Sequence, residues 1–373
     1  MAPSGGGDAP APLPTPHARL VARLGASVAV ALALVVAANA WVGHRLEALL
    51  EEADLRLAIE LARRAAAFPH PERVQVLIAG TSQAMTALRP AQVARALGLP
   101  PDAAFSIALP GASMLDTTLL FEHVRPRFPN LKRMILGIGA VSFTFQSDTL
   151  TRYLTRDSGG DRWRYARWQP KPEHRAALMA SRAFPVLDFR ANLLATLLRE
   201  PGRFLPRLAG RDVPPTEEFA RIQAADYPGG VPLPWETWTA SERAARLKEP
   251  WHPIAILVRV GIFFPTDADD RIRLGAAQFD DLLAAAEAAH LAVDVIEMPI
   301  FGAMAGVIAR QHARVYAAYQ RVSVETCRAH GLAIVKPPAG LVRADFYDPD
   351  HLNTPGAQRF AEALAPRLRR PGR

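Results

Sequence analysis

Three short stretches carry residue types and spacings that suit acyl chemistry. Ser82 stands in Gly80-Thr81-Ser82-Gln83, directly after the apolar run Val74–Ala79. A serine at a strand-to-helix turn projects its hydroxyl over the sheet edge, and the helix that starts there offers unpaired N–H groups and a positive dipole end. Such a hydroxyl becomes a nucleophile when a base is within reach. The same residues also suit an ordinary helix N-cap. Near the C-terminus, Asp348 precedes His351 by three residues in Phe346-Tyr347-Asp348-Pro349-Asp350-His351-Leu352-Asn353. A carboxylate there can accept an imidazole N–H and fix the tautomer, which leaves the other ring nitrogen to act as general base. A loop histidine beside turn-forming Asp348 or Asp350 is the competing reading. The third stretch is Leu109-Pro110-Gly111-Ala112-Ser113. Its glycine lets backbone approach a ligand, so its N–H can serve an oxyanion hole; a simple turn glycine fits as well.

These residues need a frame. Five short β-branched-rich runs read as strands: Val74–Ala79, Ala104–Leu109, Arg133–Ile138, Ala292–Met298 and Leu332–Val335. Helical patterns separate or follow them at Pro90–Leu97, Met114–Arg125, Ile272–His290, Gly306–His330 and about Pro355–Leu368, the last capped by Asn353 or Thr354. Alternation of apolar strands with helices argues for a parallel sheet covered on both faces. Ligands on such sheets bind at the carboxyl ends of the strands, where Ser82 and Gly111 fall. Residues 144–270 break the alternation and read as a partly helical insertion, with helices expected over Pro172–Leu198 and Ser241–Leu247.

Taken together, Gly80-Thr81-Ser82, Gly111, and Asp348-Pro349-Asp350-His351 followed by Leu352, Asn353 and Gly356 resemble the SGNH (GDSL-like) hydrolase superfamily. The resemblance spans about 74–143 and 291–368 and leaves out the insertion. It implies a three-layer α/β/α fold with a five-stranded parallel sheet, Ser82 as nucleophile, His351 as base, Asp348 as its partner, and oxyanion donors at Ser82 and Gly111. The chain departs from the family pattern at Thr81, where the family's first block Gly-Asp-Ser has Asp, and again in its third block. The loop after the third strand reads Gly137-Ile138-Gly139-Ala140-Val141-Ser142, without the family's Asn. Ser142 is the side chain left to take that role; otherwise the hole rests on the two backbone N–H groups, or activity is weak or lost. Losing one side-chain donor of an oxyanion hole costs on the order of 100- to 1000-fold in rate.

Leu24–Val42 contains no charge and is just long enough to cross a bilayer core. Trp41 lies at its far end, Arg19 and Arg23 precede it, and Glu47, Glu51 and Glu52 follow. The positive-inside rule puts the N-terminus in the cytoplasm and the rest of the chain outside. The expected organisation is therefore a disordered cytoplasmic tail (1–18), an anchor (19–43) and a juxtamembrane helix (44–70). The α/β domain follows in two pieces (71–143 and 271–373), divided by the insertion (144–270). Ala38-Asn39-Ala40 also resembles a signal-peptidase site, so a cleaved signal is the alternative. With this topology the resemblance points to the membrane-anchored branch of the superfamily. That branch modifies acyl groups of bacterial cell-surface polysaccharides beside a membrane-bound O-acyltransferase. It implies a bacterial inner-membrane protein with a periplasmic domain, acting on an acylated glycan or small acyl ester, either as esterase or acyltransferase or as a non-catalytic scaffold.

Composition narrows the remaining classes. Half of the 373 residues are hydrophobic and the net charge is +8, with 44 Lys and Arg in no long block. Nucleic-acid binding is not expected from that pattern. The single cysteine, Cys327, excludes an intrachain disulfide and a cysteine metal cluster. The ten histidines show no zinc-site spacing, and no cofactor is expected. Asp267–Asp270 lacks the rest of a calcium loop and reads as a solvated turn. Trp163, Tyr165, Trp168, Trp235, Trp238 and Trp251 either stack on sugar rings or pack the insertion.

Overall fold

The computed structural model describes residues 16–49, 53–145, 148–156, 158–168, 172–181, 184–211, 213, 251 and 253–369. The expected helix Ser241–Leu247 lies outside the described residues, as do Trp235 and Trp238 and residues 1–15 of the expected tail.

Five parallel strands form the sheet: β1 (Val76–Gly80), β2 (Ala104–Ser106), β3 (Arg133–Ile138), β4 (Ala292–Glu297) and β5 (Ile334–Val335), in the order β2-β1-β3-β4-β5. Each falls on one of the five runs read from the sequence. In β1 and β3 nearly every position is buried. That explains why these strands are continuous apolar runs rather than alternating ones. Alternate side chains feed two separate cores. Leu77, Ala79, Met134, Leu136 and Val295 face one, and Val76, Ile78, Ile135 and Ile296 face the other.

On the first face lie α5 (Met114–Val124), α6 (Ala140–Thr144), α13 (Pro253–Phe263), α14 (Ala268–Ala288) and α16 (Ala313–Ala329), through Phe121, Phe143, Val260, Phe279 and Tyr319. The second face is covered by α3 (Ser82–Ala87), α4 (Pro90–Leu97) and α17 (Thr354–Leu368), through Met85, Val93, Phe360 and Leu364. The expected helix over Gly306–His330 is divided at His312 into α15 (Gly302–Gln311) and α16. There the His312 ring stacks on Phe264, with centroids 5.0 Å apart.

The N-terminal helix α1 runs from Pro16 to Leu49. Within it Arg23–Leu46 is long and apolar enough to cross a membrane, with a mean hydropathy of 2.0. The expected juxtamembrane helix begins as the end of α1 and resumes as α2 (Ala53–Ala66). Its apolar residues Ala58, Ile59 and Leu61 join the first core.

In the insertion, α7 (Asp148–Leu154), α8 (Gly159–Arg167), α9 (Pro172–Ser181), α10 (Pro185–Asp188), α11 (Arg190–Arg199) and α12 (Pro201–Leu208) precede α13. Arg162 is fully buried among them. Its guanidinium donates to the Leu178 and Arg152 carbonyls and to Ser181 Oγ, and pairs with Asp188. Tyr165 packs with Leu115 and Leu119 of α5, with Trp168 beside them, while Trp163 is exposed. Asp267, Asp269 and Asp270, at the start of α14, pair with Arg271, Arg314 and Arg273. That fits acidic residues beside a helix N-terminus.

Candidate active site

The turn out of β1 is shaped by a glycine. Gly80 has φ +135°, and a Cβ there would lie 2.4 Å from the Gly137 carbonyl oxygen of β3. Only glycine adopts this backbone so close to a neighbouring strand. Thr81 then caps α3, its hydroxyl oxygen accepting the Gln83 N–H at 3.4 Å. The capping role read as an alternative for Ser82 thus belongs to Thr81. Ser82, the first residue of α3, is free to turn its hydroxyl elsewhere.

Its partner comes from an element the sequence reading treated as loop. Phe346–Asp348 (β6) and His351–Leu352 (β7) form a small antiparallel hairpin in which Asp348 pairs directly with His351. Cross-strand neighbours hold their side chains together. Asp348 Oδ1 also accepts the backbone N–H groups of Asp350 and His351 at 3.1 and 3.0 Å, which fixes the turn. His351 Nδ1 lies 2.9 and 3.0 Å from the two Asp348 oxygens. Nε2 lies 2.9 Å from Ser82 Oγ. Behind the hairpin Asn353 caps α17, its side-chain oxygen accepting the Gly356 N–H at 2.9 Å.

Hydroxyl, imidazole and carboxylate therefore stand in one hydrogen-bonded line. With Nδ1–H donated to Asp348, Nε2 accepts the Ser82 proton, which is the arrangement for nucleophilic attack on an acyl carbon.

A residue the sequence reading missed completes the charge balance. Arg259, on α13 of the insertion, places Nη1 2.7 Å from Asp348 Oδ2 and 2.8 Å from Asp350 Oδ1. Both aspartates are buried. The available signal was a single charge inside the apolar segment Pro253–Phe264; buried arginines need carboxylate partners. Burial pushes the Asp348 carboxyl up, but the His351 imidazolium and Arg259 outweigh it and hold it well below the usual range. Asp350 goes the other way: burial and the Asp348 charge raise it to about 6 against the pull of His351 and Arg259. Burial disfavours the imidazolium, yet the two carboxylates prevail and raise His351.

Asp348, Asp350 and His351 also hold donor atoms within 4.8 Å of one another, a spacing a metal ion can use. Arg259 already supplies a cation to both carboxylates, and both His351 nitrogens are engaged. The donor set fits a proton-transfer site better than a metal centre.

Two loops border the nucleophile. The chain after β2 continues alongside β1, with the Ile107 N–H donating to the Ile78 carbonyl at 2.7 Å and the Leu109 N–H to that of Gly80 at 3.1 Å. This carries Gly111, in a left-handed conformation at φ +67°, toward the end of β1. Neither the Gly111 N–H nor the Ser82 N–H has a backbone partner among the described residues. Ser142 lies in α6 after β3, fully buried, and its hydroxyl oxygen accepts the Gly139 N–H at 3.2 Å. Its first task is thus to close the start of α6. The residue lying over Gly139 is Gln83, whose buried Oε1 would be 2.4 Å from a Cβ there and has no hydrogen-bond partner among the described residues.

No family model matches the chain, and no curated protein matches it significantly.

Proposed function

We propose that the protein is a membrane-anchored serine esterase or O-acyltransferase with an SGNH-like three-layer α/β/α domain. It acts outside the cytoplasm on acyl groups of a cell-surface polysaccharide through an acyl-Ser82 intermediate. The observation that carries this reading is the Ser82–His351–Asp348 line, drawn from residues 269 positions apart. Placement of Ser82 at the carboxyl end of β1 and the pattern Asp-x-x-His before the last helix support the SGNH-like assignment. The apolar stretch of α1, with Arg19 and Arg23 at its N-terminal end, supports the anchor and the outward domain.

In the reaction, Ser82 Oγ attacks the acyl carbon while His351 Nε2 takes its proton. The oxyanion is held by the N–H groups of Ser82 and Gly111. His351 returns the proton to the departing alkoxide, leaving the acyl group on Ser82. A second hydroxyl, from water or a sugar, then gives its proton to His351 as it attacks the acyl carbon, and His351 passes that proton to the departing Ser82 Oγ. Asp348 keeps Nδ1 protonated and balances the imidazolium throughout. Water yields a hydrolase, a sugar hydroxyl a transferase.

The absence of an Asn between Gly137 and Ser142 favours one competing reading, a non-catalytic partner of a membrane-bound acyltransferase. A fluorophosphonate probe divides the two. The purified full chain should be labelled at Ser82, and the label should vanish in His351→Ala. A folded chain that takes no label is a scaffold.

A further inference from the structure

The outer surface of α11 and α12 presents three leucines that are not covered by protein among the described residues. Leu194 is 55% exposed, Leu198 72% and Leu205 56%. Leu194 and Leu198, four residues apart, share one face of α11. On the inward side Leu193 and Phe204 pack into the core that holds Leu46 and Leu49 of α1. Exposed leucines on the side opposite a packed face are the pattern of a helix lying against lipid.

What adjoins this face is fixed by α1. The Val186 N–H of α10 donates to Asn39 Oδ1 at 3.2 Å, and the Trp41 indole donates to the Leu208 carbonyl at the end of α12 at 3.0 Å. Asn39 precedes Val42, the end of the uncharged run, by three positions, so this contact sits roughly 5 Å inside that end. Trp41 is the residue type that settles at the boundary between hydrocarbon and headgroups. The helices α10–α12 are thus held at the depth where α1 leaves the bilayer.

We infer that α11 and α12 lie in the outer membrane–water interface, with Leu194, Leu198 and Leu205 immersed among phospholipid headgroups and upper acyl chains. The domain is then fixed to its membrane along a surface as well as through one helix. The inference rests on α1 spanning the bilayer and is independent of the esterase reading.

Spin labels at single cysteines test it. The native Cys327 is buried, and burial pushes its thiol up to about 12, so it stays unlabelled. Full-length chains carrying Leu194→Cys, Leu198→Cys or Leu205→Cys are labelled and reconstituted in phosphatidylethanolamine–phosphatidylglycerol vesicles. Val35→Cys in α1 and Glu362→Cys on the exposed polar face of α17 serve as references. Collision with oxygen should exceed collision with a water-soluble nickel chelate at 194, 198, 205 and 35, and the order should reverse at 362. A water-like ratio at 198 and 205 with a lipid-like ratio at 35 overturns the inference alone. A water-like ratio at 35 overturns the span and the inference together. Labels at 198 shielded from both collision partners show the face covered by protein and also overturn it, and spin–spin broadening relieved by unlabelled chain would identify that cover as a second copy. Probe labelling of Ser82 is measured separately, so neither result bears on the other.

Discussion

Replacing Arg259 by Gln should make the folded state progressively less stable as the solution becomes alkaline. Arg259 Nη1 lies 2.8 Å from Asp350 Oδ1. Two unit charges about 4 Å apart at an effective dielectric near 20 attract by about 4 kcal/mol. At about 1.4 kcal/mol per pKa unit, losing that cation lifts Asp350 by roughly three units. Its value rises from about 6 to the neighbourhood of ~9. A carboxyl whose folded pKa exceeds its unfolded value keeps a proton the unfolded chain has released. Its folded state therefore loses stability as pH climbs from the unfolded value to the folded one. In the wild type that loss ends at about 6; in Arg259→Gln it continues to ~9. Below pH ~5 the gap also shifts, because Asp348 without Arg259 protonates sooner; from there the stability gap between the two proteins should be flat up to pH ~6. Above it the gap should widen by about 1.4 kcal/mol per pH unit, reaching about 3 kcal/mol at pH 8. Chemical denaturation of the detergent-solubilised chain, followed by tryptophan fluorescence at several pH values, reads the gap directly. Adding Asp350→Asn to Arg259→Gln should flatten it. A gap that does not change between pH 6 and 9 would mean that Arg259 contributes packing and nothing to the charge balance.

Three further outcomes are expected. Ser82→Ala and His351→Ala should each lower ester turnover by at least ~1000-fold, because the line of proton transfer is cut; unfolding midpoints should stay close to wild type, and a large drop would make these residues structural. Ester turnover should fall as pH decreases through the raised His351 pKa, so the acid limb of kcat/KM should lie above the ordinary imidazole value; a limb below it would remove His351 as the base. Gly80→Ala should destabilise by more than ~2 kcal/mol and abolish probe labelling, since φ +135° and the 2.4 Å approach to Gly137 O both exclude a side chain; normal labelling of a stable Gly80→Ala chain would refute that account of the turn.

Much of the frame was legible because its signals are local. The central strands β1 and β3, with β2 beside them, are buried on both faces and so appear as unbroken apolar runs. The helix Pro90–Leu97 is bounded by a proline at its start and a left-handed Gly98 at its end, and was read to the residue. Ser82, Gly111, Asp348 and His351 were legible as types in a pattern, since their loops follow strands or precede a helix. Arg259 was not, because nothing local ties an arginine in an apolar helix to carboxylates 89 and 91 residues later. Only the tertiary fold makes that pair. The hairpin of β6 and β7 escaped for a related reason: its strands have three and two residues, too short to show a period. Ser142 fell in the right loop, but its hydroxyl serves the backbone of its own helix.

The spread of the site along the chain has a consequence for how the protein is made. Ser82 enters early, close behind the apolar helix, while His351 and Asp348 come among the last residues and Arg259 between them. Contacts of such long sequence separation close late in folding. A chain still emerging holds its serine without a base and its carboxylates without a cation. On the proposed mechanism, the Ser82 hydroxyl gains its base only when the final hairpin docks, so a truncated or stalled chain would carry an inert hydroxyl rather than an unguarded nucleophile.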